Sequence, residues 1–99
     1  MYGLKDRDIK MIRKVFSKSP RVDRAILYGS RAKGNFMEGS DIDLVLQGEM
    51  LTLTELMAIE NELEDLNLPY HIDLSILHKI ENPDLIGHIK RCGIVFYEK

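Results

Sequence analysis

Three aspartates stand inside segments that otherwise alternate like strands, and no other feature narrows the fold of this chain as far. Asp41 to Gln47 puts Ile42, Leu44 and Leu46 on one face and Asp41, Asp43 and Val45 on the other. Tyr70 to Leu77 repeats the pattern, with Ile72, Leu74 and Ile76 opposite His71, Asp73 and Ser75. Aspartate is a poor strand former, because its side chain competes for nearby backbone donors. Carboxylates inside strands therefore call for a reason. Period-two geometry sets Asp41 and Asp43 about 6.5–7 Å apart on one face. If the strand holding Asp73 lies alongside, all three converge. Converging carboxylates raise one another's pKa unless a cation neutralises them. Mg²⁺ wants hard oxygen ligands, and two ions about 3.5–4 Å apart fit a trio of this kind.

The rest of the chain supplies a frame. Ile9, Ile12, Val15 and Phe16 recur at helical spacing within residues 4–18, which Ser19-Pro20 ends. Arg24 to Tyr28 is a short apolar run closed by Gly29, the pattern of a buried strand. Thr52 with Glu55 forms a capping box for a helix whose stripe is Leu56, Ile59, Leu63 and Leu66. Asn82-Pro83 opens a last helix, Gly93 stops it, and 94–97 reads as a closing strand. The expectation is one α/β (α+β) domain over residues 1–99, with an N-terminal helix over about 4–18 and a catalytic core over about 24–99. Its mixed sheet has about four strands, with helices packed on one face.

Gly29-Ser30 is the second chemical feature. A strand that ends in glycine and turns at once into a helix presents backbone N–H groups to an anion, and glycine lets a phosphate approach closely. The Ser30 hydroxyl can donate to a phosphate oxygen. Arg31 and Lys33 bring positive charge, either to that phosphate or simply to the surface. Ser40 either touches phosphate or caps the turn into the strand. Asn35 and Phe36 stand where a Walker loop needs Lys and Ser/Thr, so this is not that loop. Phosphates at Gly29-Ser30 and metals at Asp41 and Asp43 would share one cleft, which is what phosphoryl-type transfer requires.

Composition excludes several alternatives. Fourteen basic against sixteen acidic residues give a net charge of −2, which argues against a broad nucleic-acid surface. The single cysteine, Cys92, allows no internal disulfide and suits a reducing cytoplasm. No apolar stretch reaches membrane-spanning length, and the N-terminus has no signal-peptide layout. His71, His78 and His88 lack metal-ligand spacing with Cys92, so zinc is not expected.

Gly29-Ser30-Arg31-Ala32-Lys33-Gly34 followed by Ser40-Asp41-Ile42-Asp43-Leu44 resembles the signature of the DNA polymerase β superfamily of nucleotidyltransferases. In that signature Asp-x-Asp follows Gly-Ser at about this distance, and a third carboxylate lies on a later strand, where Asp73 in His-Ile-Asp-Leu-Ser matches it. Within the superfamily the chain is most similar to the minimal nucleotidyltransferases, or MNT proteins, from about Arg24 onwards. The resemblance implies Asp41, Asp43 and Asp73 as catalytic and metal-binding residues, with two Mg²⁺ ions, and Gly29, Ser30, Arg31 and Ser40 at the nucleotide. It implies transfer of a nucleotidyl group, AMP from ATP, to a hydroxyl. MNT proteins typically pair with a helical HEPN-domain toxin and act as antitoxins of type VII systems, often by modifying a tyrosine of the toxin. The implied partners are thus a nucleoside triphosphate and a HEPN protein in a hetero-oligomer, with no membrane and no nucleic acid. Antibiotic-modifying relatives carry an added helical domain that builds the acceptor site. Nothing here matches it, so the acceptor is expected from another protein. The alternative is a non-catalytic antitoxin that neutralises its partner by occlusion.

Overall fold

In a computed structural model describing Met1–Lys99, the chain folds into a four-stranded mixed sheet with helices on both sides. The elements run α1 (Asp6–Ser17), β1 (Arg24–Tyr28), α2 (Gly29–Lys33), β2 (Ile42–Gln47), α3 (Leu53–Asp65), β3 (Ile72–Ile76), a single 3-10 turn (Leu77–Lys79), α4 (Pro83–Cys92) and β4 (Ile94–Glu98). The strand order is β3-β2-β1-β4. β1 pairs antiparallel with both β2 and β4, whereas β2 and β3 run parallel. A parallel pair needs a crossover, and α3 supplies it.

The sequence-local signals explain where these elements start and stop. The Thr52 side chain accepts from the Glu55 amide while Glu55 reaches back to Thr52, a complete capping box. Asn82 accepts from the amides of Asp84 and Leu85, with Pro83 at the first helical position. Asn67 takes a left-handed φ of 53° just past α3 and so reverses the chain towards β3.

Alternation then divides the sheet into two faces. Ala25, Leu27, Ile42, Leu44, Leu46, Leu74, Ile76 and Phe96 join the stripes of α1 and α3 in the main core. This is the helix-covered face that the alternation predicts. Phe16, Ile12 and Phe96 are fully buried there. The opposite face carries Ile26, Tyr28, Val45 and the aspartates. Here α4 contributes Ile89 to a smaller cluster with Tyr28 and Val45. The placement of α4 beside the carboxylates is what no local pattern announces. No helix is long and apolar enough to cross a membrane.

Candidate active site

Strand register brings the carboxylates together. In the parallel pair Asp43 lies directly opposite Asp73, and in the antiparallel pair Asp43 lies opposite Tyr28, the residue before Gly29. Asp41 sits one period earlier on the same face. Asp41 and Asp73 are exposed and Asp43 is half-buried, so the trio forms an open shelf at the edge of the second face. Asp43 and Asp73 thus meet in register, with Asp41 just before the start of β2.

Its electrostatic consequence falls on Asp43. Burial pushes its carboxyl above the ordinary aspartate value, repulsion from Asp73 and Asp41 adds to this, and His71 and His88 act the opposite way. Tyr28 behaves alike. Burial raises its phenol, and the charges of Asp73 and Asp43 disfavour a phenolate beside them. Ser75 Oγ, buried on the same face, pulls the phenol the other way, an effect second only to burial and larger than that of either carboxylate. The three carboxylates, expected to converge on one patch, do not close into a tight three-ligand cluster. Hard oxygen donors whose mutual repulsion disfavours ionisation nonetheless fit a divalent cation chemically.

The Gly29-Ser30 turn lies against this shelf. Gly29 has φ of +76°, a left-handed conformation that glycine adopts freely. A Cβ added to Gly29 would collide with a carboxylate oxygen of Asp43. The glycine therefore serves two ends, the reversal from strand to helix and the close approach of turn to carboxylate. Gly29→Ala is expected to push Asp43 aside and reduce transfer at least about a hundredfold, the scale of a 1 Å misplacement. A steady-state rate within twofold of wild type would contradict that packing argument. The Gly29 N–H is not free, since it donates to Nε2 of His88 on α4 at 3.3 Å.

Two sequence-derived candidates take different places. Ser40 Oγ accepts from the Met37 amide at 2.9 Å, so its hydroxyl closes the turn that precedes β2. Arg31 is buried, 3% exposed. Its Nε and Nη2 donate to the Ser40 carbonyl at 3.1 and 2.8 Å, and its Nη1 donates to the Tyr2 carbonyl at 2.9 Å. Its guanidinium lies 5.1 Å from the ring centres of both Phe36 and Tyr70. Arg31 is thus a buried, internally bonded group and no surface charge. It fastens the loop before Asp41 to α2 and to the N-terminal segment. The reason is geometric: a planar fork matches carbonyls and aromatic faces in a way that an extended surface cation does not. Lys33 stays exposed at the end of α2.

The family model described as polymerase beta, nucleotidyltransferase, matches residues 10–99. The chain belongs to that nucleotidyltransferase family. A Methanocaldococcus jannaschii protein named "putative protein adenylyltransferase" is 36% identical over 77 residues, covering 75% of this chain and 78% of its own length. The crystal structure of a toxin–antitoxin with AMP-PNP superposes with a TM-score of 0.71 at 18% identity, over 97% of this nucleotidyltransferase and 75% of that chain. A tri-AMPylated Shewanella oneidensis HEPN toxin in complex with its MNT antitoxin gives 0.69 at 16%, over 97% and 74%. At such identities the likeness to the two solved structures is one of fold. Family membership together with the register of Asp43 against Asp73 makes the second sheet face the candidate active site.

Proposed function

We propose that this nucleotidyltransferase, acting as a single domain, moves AMP from ATP to a hydroxyl of a partner protein, a tyrosine of a HEPN toxin, and so serves as its antitoxin. The observation that carries the reading is the pairing of Asp43 with Asp73 beside the Gly29-Ser30 turn. The adenylyltransferase name of the archaeal relative and the AMPylated toxin bound to an MNT antitoxin of like fold support it.

The chemistry is a displacement at phosphorus. The acceptor oxygen bonds to the α-phosphorus, the bond from that phosphorus to the bridging oxygen of the β-phosphate breaks, and pyrophosphate leaves. Asp73 takes the hydroxyl proton, a role that its exposure at the edge of the shelf supports. Ser30 and the backbone of the turn orient the β- and γ-phosphates. Asp41, Asp43 and Asp73 would hold two Mg²⁺ ions, whose chemistry is to neutralise the triphosphate and polarise the reacting phosphoryl oxygens. The half-buried position of Asp43 strengthens every charge interaction around it.

Intact-mass spectrometry on the partner that co-purifies with the chain tests the reading. Addition of Mg²⁺ and ATP is expected to raise the partner's mass by one or more AMP units. A partner that stays bound and keeps its mass would point instead to neutralisation by occlusion.

A further inference from the structure

We propose that His88 of α4 is a positioning residue of the transfer site, holding the Gly29-Ser30 turn in place against Asp43. The inference rests on the nucleotidyltransferase reading and adds a residue that neither the Gly-Ser nor the Asp-x-Asp pattern contains.

Three contacts carry it. The Gly29 N–H donates to His88 Nε2 at 3.3 Å, across 59 residues of sequence. The His88 ring meets Tyr28 edge-on, with ring centres 6.2 Å apart and planes at 77°. Gly29 also abuts the Asp43 carboxylate, so the turn is in contact with both α4 and β2. The turn needs those contacts. α2 has only five residues, too few to fix its own first turn, and glycine at φ of +76° has more freedom than any other residue. Ile89, the next residue along, anchors α4 in the cluster with Tyr28 and Val45. The imidazole is therefore held by packing and not by a mobile side chain alone. Nε2 can accept only when the ring proton sits on Nδ1, which fixes the tautomer.

The contact orders the donors that face the triphosphate, so its loss is read in nucleotide binding more than in the chemical step. Calorimetry with Mg²⁺ and AMP-PNP on the full chain is the test. His88→Ala is expected to weaken binding about three- to tenfold, the scale of one hydrogen bond. His88→Gln, whose carboxamide oxygen can accept from the same N–H, is expected to restore it to within about twofold. Transfer rates at saturating nucleotide should change less than the affinity does. Amide hydrogen exchange gives a readout independent of ligand: Gly29 is expected to be protected in the wild type and in His88→Gln, and unprotected in His88→Ala. Equal binding by wild type and His88→Ala, equal weakening in the Ala and Gln variants, or an unprotected Gly29 in the wild type would each overturn the role of His88 alone. A wild-type chain that binds no Mg²⁺–AMP-PNP, with Gly29 protected, would instead overturn the nucleotidyltransferase reading and this role with it.

Discussion

Asp43→Asn is expected to abolish nucleotidyl transfer, lowering the rate about a thousandfold or more, and at the same time to stabilise the metal-free protein. The first effect follows from the several kcal/mol that a bound metal contributes to charge neutralisation, at about 1.4 kcal/mol per factor of ten. Asparagine keeps the shape against Gly29 and removes the charge. The second follows from the environment of the carboxyl, which burial first, and then Asp73 and Asp41, push above the ordinary value of 3.8. A carboxyl with a raised value binds its proton more tightly when folded than when unfolded. Its favourable contribution is therefore complete below the unfolded value and is lost as pH rises through the folded one. At neutral pH, with chelator present, Asp43→Asn should melt higher than the wild type by about 2–4 °C, after allowance for solvent screening. The gap should close as pH falls below about 4. Thermal denaturation across that range checks the sign. A variant less stable at neutral pH would show that the carboxylates are not in conflict.

Arg31→Ala should produce the largest loss of stability from a single polar substitution in this chain. It removes donors from two backbone carbonyls and a cation from between two aromatic rings at a buried position. Hydrogen bonds to charged groups are worth about 1.5–3 kcal/mol each but are not additive here, because they share one side chain. A total of about 3–4 kcal/mol is expected, which lowers the melting temperature of a chain this size by about 15–25 °C. Arg31→Lys should recover less than half of that, since an ammonium cannot fork to the Ser40 carbonyl and reach Tyr2 together. Transfer should fall in step, because the loop fastened by Arg31 leads directly into Asp41. A melting temperature within about 3 °C of wild type, with nucleotide affinity alone reduced, would return Arg31 to the phosphate.

The two residues differ in how legible they were. Asp43 announces itself, because a charge inside a period-two apolar pattern violates strand preference at one identifiable position. The same alternation fixes which face Asp73 occupies, and the capping signals at Thr52-Glu55 and Asn82-Pro83 mark two helix starts directly. These are local relations, carried within a few residues. Arg31 is different. Its partners are the carbonyls at Tyr2 and Ser40 and the rings of Phe36 and Tyr70, four positions with no periodic relation to one another. The stretch Gly29 to Gly34 looks polar and exposed when read alone. His88 is hidden for the same reason, since its contact with Gly29 exists only once α4 folds over the second face of the sheet. Alternation alone does not give strand order either: it leaves open whether β4 joins β1 or β3. The sequence pattern reveals the reactive carboxylates, while the residues that hold them in place emerge from packing between distant segments.

The central claim is that the α-phosphoryl group, with its nucleoside, goes to the acceptor. The most direct measurement incubates the chain and its co-purifying partner with Mg²⁺ and ATP carrying the radiolabel in either the α- or the γ-phosphate. The account predicts α-label on the partner protein, γ-label released as pyrophosphate, and neither event with Asp43→Asn. Label on the protein from the γ-phosphate, or no transfer from either position, would contradict it.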